Sequence, residues 1–213
     1  MDQNYWNNYY SKQRQNRQPS LFAQHIVENC VGDEKPTLIE LGCGNGRDSI
    51  YFSERGLNVV AIDQVDEEID FLQNRFSKVK NLEFTSGDFT DLSNDQMYDI
   101  VYSRFTLHSI NSVKQNKVLI WSYNQLNENG LFCIEVRGQK NDLYQKGEIV
   151  ADEKDAYILD NHYRRFLEFD AFCNELKDIG FTIEYSKESK GFAPFNNTDE
   201  TFIRVIARKI NNR

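Results

Sequence analysis

The sequence has no C-x-x-C pair. Its four cysteines, Cys30, Cys43, Cys133 and Cys173, are scattered, with no histidine at ligand spacing. Neither a zinc site nor a disulfide framework is therefore expected, and no metal is assigned. Reduced thiols fit a cytoplasmic protein. Long apolar runs are also missing. The longest, such as Val59-Val60-Ala61-Ile62, are strand-sized, far from the roughly 18 residues of a membrane span. The start, Met1-Asp2-Gln3-Asn4, lacks the basic and apolar regions of a secretory signal. Positive charge is in deficit: 25 Lys and Arg face 33 Asp and Glu, a net −8. That balance argues against a nucleic-acid backbone as the main partner. Repeats, low-complexity tracts and an interdomain linker are absent.

The 213 residues are 39% hydrophobic and 13% aromatic, enough for a folded core. A single domain over residues 1–213 is expected. Short β-rich runs at Thr37–Leu41, Asn58–Ile62, Leu82–Thr85, Ile100–Ser103 and Leu131–Val136 alternate with helical stretches at Arg47–Arg55, Asp66–Ser77 and Val113–Asn127. This alternation predicts βαβ crossovers and a mostly parallel sheet with helices on both faces. Phe169–Ile179 reads as a helix stopped by Gly180, followed by strands at Phe181–Tyr185 and Thr201–Ala207. That pair is expected to be antiparallel and to close the sheet edge. Pro19-Ser20 is expected to start a helix over Leu21–Val31. Residues 138–167 are too long for a plain connection and are expected to cover a site.

The most informative stretch is Leu38-Ile39-Glu40-Leu41-Gly42-Cys43-Gly44-Asn45-Gly46-Arg47-Asp48. A strand enters three glycines spaced by single residues, and a helix follows. Glycine permits positive φ and close ligand approach, and amides at a helix start can face a polar group. Asp63 ends the next strand, where a carboxylate can accept both hydroxyls of a ribose. A dinucleotide site needs G-x-G-x-x-G and a P-loop needs G-x-x-x-x-G-K-[ST]; neither spacing is present. Glu40, two residues before the first glycine, suits an ammonium or sulfonium ligand better than a pyrophosphate.

This pattern resembles motif I of class I S-adenosylmethionine-dependent methyltransferases, over nearly the whole chain from Leu38 to Ala207. The resemblance implies an α/β, Rossmann-like, doubly wound sheet of seven strands, mostly parallel with the last strand antiparallel. It implies S-adenosylmethionine as cofactor, held by Glu40, Gly42, Gly44, Gly46, Arg47, Asp63 and Gln64. By the same resemblance, Asp88 accepts from the adenine amino group and Phe89 donates its amide and lines the base. Ser103 and Arg104 follow the fourth strand and meet the methionine part. The Asn/Asp-Pro-Pro-aromatic tetrapeptide of amino-group methylases is replaced by Ser103-Arg104-Phe105-Thr106. A small-molecule acceptor is the best remaining class.

Tyr5, Trp6, Tyr9 and Tyr10 form an aromatic patch. Residues 1–35 are read as an arm and helix over the cofactor, with Tyr9 near the sulfonium by cation–π attraction and Tyr5 near the acceptor. The inserted segment 138–167 is assigned to the acceptor site. Arg137, Tyr144, His162, Tyr163, Arg164 and Arg165 are its candidate contacts, and arginine forks match anionic groups. An anionic, phosphorylated or sugar-linked acceptor follows. The aromatic arm and His162-Tyr163-Arg164-Arg165-Phe166 are similar to methyltransferases of bacterial surface-polysaccharide assembly. His108 lies where the acceptor would approach and is the candidate base for an oxygen acceptor. Three alternatives remain open: a protein that binds the methyl donor without catalysis, an NAD-type oxidoreductase, and a methyltransferase acting on another metabolite, a protein or RNA.

Overall fold

The computed structural model describes residues 18–32, 35–195 and 198–210. The chain runs α1 (Leu21–Cys30), β1 (Thr37–Leu41), α2 (Arg47–Glu54), β2 (Asn58–Asp63), α3 (Asp66–Phe76), β3 (Leu82–Ser86) and β4 (Tyr98–Arg104). A 3-10 turn at Leu107–Ser109 precedes α4 (Ser112–Gln125) and β5 (Leu126–Val136). Then come β6 (Glu148–Ile149), β7 (Ala156–Leu159), β8 (His162–Arg165), α5 (Phe169–Ile179), β9 (Phe181–Ser189), β10 (Pro194–Phe195), β11 (Thr198–Asp199) and β12 (Phe202–Lys209). The main sheet has seven strands in the order β3-β2-β1-β4-β5-β12-β9. β1 to β5 pair in parallel, and β12 runs antiparallel to both β5 and β9. The expected doubly wound sheet is therefore present, with the last strand reversed and slotted inside the edge.

Strand side chains alternate between two cores. Leu38, Ile100, Tyr102 and Cys133 face Phe22, Phe52, Ile69 and Leu72 from α1, α2 and α3. Ile39, Val101, Phe132, Ile134 and Val205 face Val118, Leu119, Phe172 and Leu176 from α4 and α5. This two-sided burial explains why the parallel strands read as unbroken apolar runs. All four cysteines are free thiols. Among the described residues, no helix is long and apolar enough to cross a membrane.

Local chemistry sets the helix ends. Ser20 caps α1 by accepting from the Ala23 amide at 3.0 Å, and Asn111 caps α4 through the Lys114 amide at 2.9 Å. Gly180 takes φ +120° at the end of α5, as its sequence position predicts. β5 starts earlier than expected, at Leu126, because this buried residue registers with Tyr98.

The insert holds a small antiparallel sheet, β6-β7-β8, which hydrophobic patterning did not disclose. Asp160 and Asn161 both take positive φ, 54° and 56°. This makes the two-residue turn joining β7 to β8 one of the kind that matches strand twist. Tyr157 packs edge to face on both Tyr144 and Phe166, and Tyr144 meets Phe166 at a tilt. β8 lies against the Leu107–Ser109 turn, which brings the insert to the carboxyl ends of β4 and β5.

Candidate active site

The glycine turn is built by the sheet beneath it. Gly42 and Cys43 both donate to the Ile62 carbonyl, at 2.8 and 2.9 Å. The Gly44 amide donates to Asp63 Oδ2 at 2.8 Å, and the Val65 amide to Asp63 Oδ1 at 3.1 Å. Gly42, Gly44 and Gly46 all take positive φ, so the spacing of glycines is a conformational requirement. At Gly46 a Cβ would stand 2.9 Å from the Phe84 ring. At Gly42 it would run into the Thr106 methyl. Gly42 is thus needed for close packing against the chain after β4 rather than only for ligand approach.

Asp63 is buried, and burial pushes its carboxyl above the ordinary range, against the pull of the Gly44, Val65 and Gln64 amides. The two carboxylate oxygens together offer about four acceptor positions, so these amides leave part of that capacity open. Glu40 is buried on the α1 side of β1 and receives a hydrogen bond from Ser49. Burial, and then the Asp48 charge, push its carboxyl well above the usual value. Arg47 opens α2 with its Nε 4.0 Å from Asp48.

Asp48, which the glycine motif alone does not single out, is a hub. Its carboxylate accepts from the Ser20 amide at 2.7 Å, the Ser20 hydroxyl at 2.8 Å and the Tyr102 hydroxyl at 3.0 Å. It thereby fixes the start of α1 to the start of α2.

Several of the expected side chains also have partners within the protein. The Phe89 ring belongs to the core with Ile39, Leu41 and Ile62 and borders Gly42. Ser103 Oγ lies 2.5 Å from Thr106 Oγ1, and its backbone is in register with Leu41 and Ile134. The Arg104 side chain turns to Glu135. Asp88 accepts from the Thr90 amide and pairs with Lys114 at 3.4 Å. These contacts outweigh burial and hold its carboxyl below the usual range. Tyr5 and Tyr9 lie outside the described residues.

The acceptor-side candidates converge, but mostly on one another. The Arg137 amide donates to His108 Nδ1 at 3.3 Å, and the Arg137 side chain meets Glu200 and Asn141. Arg165 is buried against Gln115, with Glu153 at 3.7 Å. Arg164 folds back onto the Leu159 carbonyl at 2.8 Å. Tyr144 donates to Asp155 at 2.8 Å, a contact internal to the insert. His162 is buried on β8, and the neighbouring Tyr163 hydroxyl, half-buried, is pushed up to about 12. Glu200, which no motif marked, is the acid that balances Arg137. Its place beside Phe202 is visible only once β12 pairs with β5.

His108 is buried, and burial, then the charges of Arg137, His162, Arg164 and Arg165, hold its pKa well below 6.5. Its imidazole is neutral near pH 7, and the proton is assigned to Nε2 because Nδ1 accepts from the Arg137 amide. A histidine with a depressed native pKa contributes stability above the unfolded value and loses it as pH falls. Thermal stability is therefore expected to drop as pH falls below 6.5 toward the native value. His108→Gln should flatten that part of a pH–Tm curve.

Residues 38–130 match the family profile described as "Methyltransferase domain". That segment carries a methyltransferase domain, and the fold is that of the S-adenosylmethionine-dependent methyltransferases. The enzyme's methyl donor is S-adenosylmethionine. The glycine turn, the Asp63 carboxylate with spare acceptor capacity and the buried Glu40 carboxyl suit that donor's hydroxyl and ammonium groups. The chain is 25% identical over 192 residues to the ubiquinone biosynthesis O-methyltransferase of Rickettsia typhi, covering 83% of this chain and 75% of that one. A shorter match, 37% over 65 residues, joins it to the cypemycin N-terminal methyltransferase of a Streptomyces species, over 30% and 26% of the two chains. In fold the methyltransferase resembles the 1,6-didemethyltoxoflavin-N1-methyltransferase of Burkholderia thailandensis. The TM-score is 0.72 at 18% identity, over 98% of this chain and 87% of that one. The named relatives include ubiquinone-pathway enzymes and not surface-polysaccharide enzymes, so that part of the sequence resemblance gains no support.

Proposed function

We propose that the enzyme transfers the methyl group of S-adenosylmethionine to a hydroxyl oxygen of a small acceptor of low net charge. The acceptor is placed beyond the ends of β4 and β5, between the Leu107–Ser109 turn and the insert. The charge balance of that region carries the reading. Arg137 is offset by Glu200 and Arg165 by Glu153, so a strongly anionic acceptor gains less than the sequence alone implied. The O-methyltransferase name of the Rickettsia relatives supports an oxygen acceptor. The sugar-linked acceptor of surface-polysaccharide assembly stays compatible only as a neutral hydroxyl on such a sugar.

When bound, the donor supplies an activated methyl group, so the protein's share is orientation and exclusion of water. Asp63 holds the sugar hydroxyls, and the Gly42–Gly46 turn seats the amino-acid end. His108, neutral and fixed by the Arg137 amide, orients the acceptor oxygen through Nε2. As the carbon–oxygen bond forms and S-adenosylhomocysteine leaves, the hydroxyl proton passes to Nε2 in the tautomer that carries its hydrogen on Nδ1, with loss of the Arg137 contact. His108→Ala is expected to lower turnover about 10²-fold.

The direct test is transfer of labelled methyl from S-adenosylmethionine to paired acceptors, such as phenol and catechol against their carboxylate- and phosphate-bearing counterparts. Turnover of the uncharged members supports the reading. Turnover confined to the anionic members, lost on Arg164→Ala, would replace it with the anionic one.

A further inference from the structure

A ladder of buried charge crosses β4, β5 and β12 on the face covered by α1. Arg104 registers with Glu135, and Glu135 with Arg204. The Glu135 carboxylate lies 2.6 Å from Arg104 Nε and accepts from Arg204 Nε at 2.7 Å. Glu135 and Arg204 are both 0% exposed. Arg204 is anchored further by the Ser189 carbonyl at 2.9 Å and by the Phe192 ring at 4.5 Å. The Arg104 guanidinium lies 3.9 Å over the Phe105 ring.

Buried ionic groups of this kind are poor sources of stability, since well-packed apolar residues often serve as well. The ladder therefore calls for another role. Its composition supplies one. Two guanidiniums share the one Glu135 carboxylate, so neither is bound by it on both edges. Arg104 is the member at the strand ends, 11% exposed at its side chain, and since Ser103 registers with Leu41, Arg104 stands level with Gly42 at the start of the glycine turn. The acceptor-side arginines Arg137 and Arg165, by contrast, each have an acid partner. The outer guanidinium of the ladder thus sits beside the glycine turn and not beside the insert.

We propose that Glu135 and Arg204 are positioning residues that aim the Arg104 guanidinium at the carboxylate of the methionine end of S-adenosylmethionine, an inference that rests on the cofactor reading of the glycine turn. Glu135 engages the Nε edge of Arg104, so a ligand carboxylate meets the Nη edge, a geometry that guanidinium forks match well. Arg204 holds the second Glu135 oxygen and stops the carboxylate from rotating away. Neither Glu135 nor Arg204 touches the ligand.

The experiment is calorimetric titration with S-adenosylmethionine and with decarboxylated S-adenosylmethionine, which keeps the nucleoside, sulfonium and amine. The wild-type protein is expected to prefer the carboxylated form by about 10–100-fold. Arg104→Met should collapse that ratio toward one while leaving the decarboxylated ligand nearly unaffected. Arg204→Met should reduce the ratio by about 3–10-fold, with Arg204→Lys restoring part of it. Glu135→Gln, a close isostere, gives a second reading if Arg204→Met fails to fold. A purely structural ladder would weaken both ligands equally, and that result overturns the proposal. So does a wild-type protein that binds both ligands equally. If the wild-type protein binds neither, the cofactor reading itself fails, and this is seen before any variant is made.

Discussion

Asp63→Ala is expected to weaken S-adenosylmethionine binding by about two orders of magnitude or more. Each hydrogen bond from a sugar hydroxyl to the carboxylate is worth about 1.5–3 kcal/mol, and the proposed seat uses two of them, so a loss of about 3 kcal/mol is expected. The same carboxylate accepts the Gly44 and Val65 amides, so the substitution also loosens the glycine turn. Asp63→Asn should not rescue binding. Its oxygen can replace only one of the two acceptor sites, and its NH2 group then faces an amide donor. Calorimetry well below the thermal midpoint, with a melting curve to establish that each variant is folded, checks both statements. Near-native affinity in folded Asp63→Ala would remove Asp63 from the site.

Gly42→Ala is expected to destabilise the protein by about 2–5 kcal/mol. Gly42 has φ +76°, where a Cβ costs roughly 1–2 kcal/mol. The new methyl also runs into Thr106 Cγ2, and overpacking of this kind adds roughly 1–3 kcal/mol. The two contributions can be separated. Thr106→Ser removes the opposing methyl and keeps the hydroxyl beside Ser103. In that background Gly42→Ala should cost only the backbone share, about 1–2 kcal/mol. Denaturant titration of the four members of the cycle measures the coupling. Additive effects would show that Thr106 does not dictate the glycine.

The parts of this molecule that follow short-range rules were legible in the sequence. Alternating β-rich and helical runs gave β1 to β5 because parallel strands covered on both faces must be apolar throughout. Gly180 marked the end of α5, and Ser20 the start of α1, because capping is a local matter. Asp63 could be placed at the glycine turn because β1 and β2 are consecutive in the chain and adjacent in the sheet. What stayed hidden depends on contacts distant in sequence. The Asp48–Ser20–Tyr102 hub joins three separate segments. The Arg104–Glu135–Arg204 ladder exists only through the register of β12 between β5 and β9. Glu200 reaches Arg137 for the same reason. The insert hairpin carried a readable signal in Asp160-Asn161, a pair suited to a two-residue turn, but its strands are too short for periodicity to register. The arginines of that segment looked like an anion clamp because their acid partners, Glu153 and Glu200, could not be paired with them from spacing.

The proposition behind all of this is that the Gly42–Gly46 turn and Asp63 form the seat of a methyl donor. Titration of the purified protein with S-adenosylmethionine, S-adenosylhomocysteine and NAD, each followed by calorimetry, tests it most directly. One-to-one binding of the first two, with no heat from NAD, is the expected result. Saturable binding of NAD, with none of either sulfur ligand, would contradict it.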